Sequence, residues 1–296
     1  MPLRPAAELI ARARAEGYAV GYFESWNLES LQGVVDAAEE TRSPVLLGVN
    51  GDFMSRSGRR AEERLSWYAA LGRAAAESAR VPCALIFNEC SDDGWIRAAI
   101  DAGFSQVMPD DPEAEHEAFR RRVADIVRHA HAKGVAVEAE VGHLATGAPG
   151  VLGDGEQVAT DPDAAAAFVK ATGIDLLAVS VGNVHILLNG QQRLDLDRLA
   201  AIRARVDVPF DLHGGTGIPA DSLREAIRLG VAKVCYGTYV KQRYLDAWRR
   251  GLAADEPNPH KRLGYGGDED LLVAGRRAVK EAVLERIGSL GCCGKG

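Results

Sequence analysis

The sequence is poor in cysteine: Cys83, Cys90, Cys235, Cys292 and Cys293 are the five in 296 residues. An odd number at scattered spacing gives no disulfide framework and no zinc-finger pattern, and it points to a reducing, cytoplasmic compartment. Cys83 and Cys235 sit in apolar runs and read as small core residues. Long hydrophobic runs are also lacking. No stretch approaches the ~18 apolar residues that a membrane span needs. The opening MPLRPAAELIARARAEG has no signal-peptide core and reads as an amphipathic helix. There is no excess of positive charge, with 35 Lys+Arg against 42 Asp+Glu and a formal net charge of -7. The basic patch of a nucleic-acid binder is therefore not indicated.

What the chain does have is a regular alternation of short apolar runs and longer helical patterns. The strand candidates are 19–23 (AVGYF), 44–49 (PVLLGV), 83–88 (CALIFN), 106–110 (QVMPD), 135–141 (VAVEAEV), 176–181 (LLAVSV), 209–214 (PFDLHG) and 232–237 (AKVCYG). Continuous apolar runs of this length fit strands buried on both faces, as in a parallel sheet. Helical patterns lie between them. Residues 27–41 place Leu28, Leu31, Val34, Val35 and Ala38 on one face. Residues 161–172 open with Asp161 as N-cap and Pro162 at the first helical position. Another helix spans residues 219–229, starting at Pro219 and stopping before Gly230. Eight strands, each followed by a helix, predict a (β/α)8 TIM barrel, with 1–296 as one domain. A doubly wound open sheet is the alternative. The segment 142–160 (GHLATGAPGVLGDGEQVAT) is long and Gly-rich, as lids and substrate loops often are.

In a barrel the chemistry gathers at the C-terminal strand ends. Those ends carry Glu24, Asn50, Asn88-Glu89, Glu138 and Glu140, Gly182 to His185, His213 and Thr238. Imidazoles and carboxylates converging on one rim make a metal site. His116, His129, His131 and His260 read as solvated surface, and His143 is assigned neither way. The turn HGGTGIP offers free backbone N–H groups and the Thr216 hydroxyl to a phosphate, or simply joins a strand to a helix.

These residues, with NLESLQGVVDAAEETRSPVLL, AAIDAGFSQVMPD, VEAEVG, TDPDAAAAFVKATGIDLLAVSVG, LHGGTGIP, LREAIRLGVAKV and the terminal IGSLGCCGKG, resemble the class II fructose-bisphosphate and tagatose-bisphosphate aldolase family from about residue 18 to the C-terminus. The resemblance implies a zinc-dependent lyase, or one using another divalent metal, in which three histidines hold the ion, an aspartate shuttles a proton, and last-strand amides and hydroxyls bind phosphate. It implies a homodimer or homotetramer acting on a sugar phosphate or related hydroxyketone, without nucleic-acid or membrane partners. His185 and His213 match two metal ligands, and Glu140 an acidic position near the metal. Gly182, Gly214, Gly215, Thr216 and Thr238 match substrate- or phosphate-contacting positions, and Asp110 an acidic residue of the fourth strand end.

The departures are specific. Asn88 stands where the family has its proton-shuttling aspartate, and Glu89 where it has the first histidine. Glu24 replaces an asparagine, Asn50 a serine, Ile186 a glycine and Cys235 an asparagine, and Ala145-Thr146 replace a glycine pair. A His2Glu set still binds zinc, but leaves the ion a formal +1 instead of +2 and should stabilise developing negative charge less. Asn88 cannot exchange a proton. The expected substitutes are Glu24, or Asp154 and Glu156 in the Gly-rich loop. Glu24 is preferred, because a strand end is held better than a loop. Loss of the glycine at 186 argues against a second phosphate, and so against ordinary fructose-1,6-bisphosphate cleavage. An isomerase or epimerase on the same barrel and a non-catalytic sugar-phosphate binder are the other readings.

Overall fold

The computed structural model describes residues 2–111, 114–144, 157–187 and 190–296. The apolar runs form eight parallel strands: β1 (Val20–Phe23), β2 (Val45–Asn50), β3 (Cys83–Cys90), β4 (Gln106–Pro109), β5 (Ala136–Val141), β6 (Leu176–Val179), β7 (Phe210–Leu212) and β8 (Val231–Tyr236). Each pairs with the next and β8 pairs with β1, closing the barrel. The open-sheet alternative is thereby removed.

Twelve α-helices occur among the described residues. They are α1 (Ala6–Glu16), α2 (Leu28–Thr41), α3 (Gly51–Ser55), α4 (Leu65–Ser78), α5 (Asp93–Ala102), α6 (His116–His131), α7 (Pro162–Thr172), α8 (Leu196–Arg203), α9 (Ala220–Arg228), α10 (Thr238–Leu252), α11 (Pro259–Arg262) and α12 (Leu271–Ile287). Their starts follow local chemistry. Asn27 and Ser30 form a reciprocal capping box at α2, and Asp161 caps α7 ahead of Pro162. On α2 the face of Leu31, Val34 and Ala38 is buried, whereas Leu28, in the first turn, is 45% exposed. The N-terminal amphipathic pattern becomes α1, which buries Ala6, Leu9, Ile10 and Ala13. Its Ala6 amide bonds Ser105 Oγ just before β4, so α1 lies at the N-terminal end of the barrel, away from the mouth.

Two irregularities interrupt the ladder, one at the mouth end of β3 and one at the start of β7. The β3–β4 register shifts between Phe87 and Cys90, and the β7–β8 register shifts at Phe210/Asp211. Such bulges re-aim side chains at barrel rims. The first of them puts Glu89 at φ 46.

Candidate metal centre

Residues 211 and 213 share a face of β7, and 233 and 235 share a face of β8, because strand side chains alternate. The barrel interior therefore receives Asp211, His213, Lys233 and Cys235 from adjacent strands. All four are buried. Lys233 Nζ donates to Glu138 Oε2 at 2.6 Å and to Asn88 Oδ1 at 3.1 Å, and lies 3.2 Å from Asp211 Oδ2. Burial opposes the ammonium, but Asp211 and Glu138 raise its pKa and keep it charged. Burial acts against Asp211 as well, and Lys233 and His213 overcome it, so the carboxylate is ionised.

His213 stands between this buried layer and the mouth. Its Nε2 lies 3.0 Å from Asp211 Oδ2 and 3.2 Å from Glu138 Oε1, while Nδ1 is 2.6 Å from Glu89 Oε1. The inward nitrogen is thus occupied by carboxylates, and the outward one faces the rim. A carboxylate behind a histidine fixes ring orientation in many metal sites. Burial disfavours an imidazolium here, yet Cys235, Glu89 and Asp211 raise the His213 pKa. The Cys235 thiol is itself pushed up to about 12 by burial, so the carboxylates are the effective anions. His185 stacks on His213 with ring centroids 5.4 Å apart, and its Nε2 is 3.6 Å from Glu89 Oε1. Burial lowers the His185 pKa, which favours the neutral ring that ligates. Burial pushes the Glu89 carboxyl up, but His213 and His185 bring it down to about 2.

The ligand atoms of Glu89, His185 and His213 all lie within 4.8 Å of one another. One carboxylate and two imidazoles, with a partly exposed mouth on one side, suit a catalytic divalent site. Glu140, expected among the ligands, is not in this group. It follows Glu138 by two residues on β5, so it shares that face nearer the mouth, and burial raises its carboxyl to about 8. Glu138 is the β5 carboxylate that touches His213. A second buried group, Asp211, His213 and Cys235, meets the same distance limit. There the Lys233 ammonium already occupies the position of a counter-cation. Cys235 is buried as expected, but it is more than filler, since its Sγ donates to Asp211 Oδ2 at 3.1 Å.

Local structure holds the histidines in place. Asn183, fully buried, accepts from Val181 N and donates to Val179 O and His213 O, tying the end of β6 to the end of β7. Ile186, next to His185, has φ 53, the left-handed region that a β-branched residue rarely enters. Gly214 is also left-handed, and a Cβ there would lie 2.1 Å from Val184 O. Gly182, at φ 98, passes close to Arg193 O. Gly215, Thr216 and Gly217 form a 3-10 turn, and Thr238 opens α10 without a side-chain cap at Gly237.

Asn50 ends β2 and caps α3 through Phe53 N, and its Nδ2 donates to Glu89 Oε2. Asn88 is buried and accepts from Lys233. Glu24 directly follows β1, is 7% exposed, and accepts from Lys241 Nζ at 2.5 Å. Its other carboxylate oxygen fills the space beside Gly237, where any Cβ would come within 2.4 Å. Burial raises the Glu24 pKa and Lys241 restrains the rise. Burial, with Glu89 and Asp52, raises Asp110 to about 7. Asp154 and Glu156 lie outside the described residues. His143 is exposed and bridges Val158. His116, His131 and His260 are exposed, as expected of surface histidines, whereas His129 is half-buried with Nε2 unpartnered. That correction follows from its place on α6 beside the buried Ala130.

The fold is a (β/α)8 barrel with a His/carboxylate cluster at its rim that could hold a metal ion, and its relatives place it further. The family model described as fructose-bisphosphate aldolase class-II matches residues 4–295. The chain is 36% identical over 302 residues to a fructose-bisphosphate aldolase of Geobacillus stearothermophilus, covering 100% of this chain and 99% of that one. It is 33% identical to the fructose-bisphosphate aldolase of Thermus caldophilus, covering 97% and 98%. The crystal structure of the YdjI aldolase from Escherichia coli K12 superposes with a TM-score of 0.81 at 31% identity, covering 99% of both chains. The chain belongs to the class II fructose-bisphosphate aldolase family. Among the described residues no helix is long and apolar enough to cross a membrane.

Proposed function

We propose that the chain is a divalent-metal-dependent carbon–carbon lyase that cleaves, or forms in reverse, a ketose phosphate carrying one phosphate, and that fructose 1,6-bisphosphate is not its substrate. The observation that carries this reading is the convergence of Glu89, His185 and His213 beside an amide, Asn88, where the family has an acid. Zinc or a similar ion, when bound there, supplies Lewis acidity toward the ketose carbonyl and its neighbouring hydroxyl. Asn50 fixes one Glu89 oxygen, and Glu138 and Asp211 fix His213. The turn at Gly214 to Thr216, the close backbone at Gly182 and the uncapped start of α10 at Thr238 offer donors for a phosphate.

The proton is assigned to Glu24. Asn88 is committed to Lys233 and has no proton to give. Glu24 lies at a strand end, close enough to Glu89 for each charge to act on the other, with a pKa raised by burial. Asp110, after β4, and Glu140, on β5, are the other raised carboxyls of the mouth. In the metal-replete protein, Glu24→Gln should lower kcat by ~10²–10⁴ while metal content is retained. Aldehyde release from ketose phosphates measures this. A Glu24→Gln variant within threefold of wild type would remove Glu24 from the mechanism, and no turnover across the series would remove the lyase. Solvent isotope entering a ketose without cleavage would instead support an isomerase or epimerase.

A further inference from the structure

Next to the metal centre lies a cavity of about 130 Å³ that no step above uses. Glu24 and Asn50 form its boundary with the Glu89 side, and Trp26, Phe53 and Tyr68 are its aromatic walls. We infer that this cavity seats the uncharged, hydroxylated end of the substrate, so that the chain selects a polyhydroxylated ketose 1-phosphate over the corresponding bisphosphate. The inference deepens the lyase reading by naming the chemistry of the end opposite the phosphate turn.

Charge decides between the two kinds of substrate end. Two cations line the cavity, Lys241 and Arg59, and each is already matched. Lys241 Nζ is 2.5 Å from Glu24 Oε1 and lies 4.2 Å over the Phe53 ring and 5.8 Å from that of Trp26. Arg59 pairs with Glu63 and donates to Phe53 O at 2.5 Å. Glu63 is held in turn by the Tyr68 hydroxyl at 2.9 Å. The four ionised groups sum to zero. Among the described lining residues a phosphate entering here would meet two carboxylates and no cation without a carboxylate partner, and like charges in a partly dry site repel strongly. A carbohydrate chain meets the opposite situation. Its C–H faces pack on aromatic rings, and its hydroxyls can donate to Glu24 and Glu63 and exchange with Asn50. Ser25 Oγ, on the same lining, is buried without a hydrogen-bond partner. At about 30 Å³ per water the cavity holds roughly four waters, room for a short hydroxylated carbon chain. Size alone would admit a phosphate too, so the pairing of Arg59 and Lys241 carries the argument.

The test has a turnover arm and a binding arm. With metal-replete protein, kcat/KM is measured for a ketohexose 1-phosphate and for the same ketose bearing a second phosphate at C6. Separately, the uncleavable hexitol 1-phosphate and hexitol 1,6-bisphosphate are titrated calorimetrically. The monophosphate is expected to win by at least tenfold in both arms. Glu63→Gln, which releases Arg59, should narrow that ratio at least threefold. Phe53→Ala should raise KM for the ketohexose 1-phosphate with little change in kcat. Preference for the bisphosphate in either arm, or no binding of either hexitol phosphate, would overturn the inference while leaving cleavage intact. Absence of turnover with the hexitol order preserved would overturn the lyase reading and leave the cavity's selectivity standing.

Discussion

At the residue scale, two non-glycine residues at the rim occupy left-handed backbone: Glu89 at φ 46 and Ile186 at φ 53. Glu89 is held there by the β3–β4 bulge, and its carboxylate is used by His213, His185 and Asn50. Ile186 is 40% exposed and follows His185 in a position where glycine would be unstrained. Left-handed backbone costs an ordinary residue about 1–2 kcal/mol, offset in part by the greater freedom of glycine in the unfolded chain. Ile186→Gly should therefore stabilise the protein by about 0.5–1 kcal/mol in urea unfolding, and a loss of stability would show that the Ile186 side chain has packing partners that outweigh the strain. The sequence made the rim residues Glu89, His185 and His213 legible because each falls at a strand end in a recognisable motif. Asp211 and Lys233 are harder to read, since they sit inside otherwise apolar runs. The signal was the two-residue spacing: Asp211 must share a face with His213, and Lys233 with Cys235.

At the scale of elements, the strands were legible almost to their ends because burial on both faces leaves continuous apolar runs, and the helix starts because their caps are local. Helix-to-helix contacts were less so. The pairing of α2 with α12, more than 200 residues apart, depends on Gly33, where a Cβ would meet Arg276 O at 2.7 Å and Val279 Cβ at 2.8 Å. It also depends on the two-pronged Asp36–Arg276 pair, at 2.6 and 2.8 Å. Nothing in either segment announces the other. Gly33→Val should force these helices apart and destabilise the fold by about 1–3 kcal/mol, read as a lower urea midpoint. An unchanged midpoint would mean that the α2–α12 contact yields without cost.

At the scale of the whole molecule, the barrel gathers more buried charge at one end than an apolar core tolerates unaided. Asp110, raised to about 7, and Glu140, raised to about 8, hold protons longer in the folded than in the unfolded state. Their stabilising protonation is complete below the unfolded carboxyl range and is lost as pH rises through 7 and 8. Glu89, lowered to about 2, acts oppositely: its contribution is present above pH 4.5 and is lost as pH falls toward 2. Metal-free protein should accordingly be most stable near pH 5 and weaken toward pH 8, and Asp110→Asn with Glu140→Gln should flatten the alkaline limb. Urea midpoints across pH 4–9 would show this, and an unchanged slope in the double variant would contradict it.

The central claim is that a carboxylate and two imidazoles hold a catalytic divalent ion. Elemental analysis of the purified protein beside Glu89→Ala and His213→Ala tests it most directly. The account predicts about one zinc or similar ion per chain in the wild type, lost in both variants with the fold intact. A wild type that stays metal-free after reconstitution, or variants that retain the ion, would contradict it.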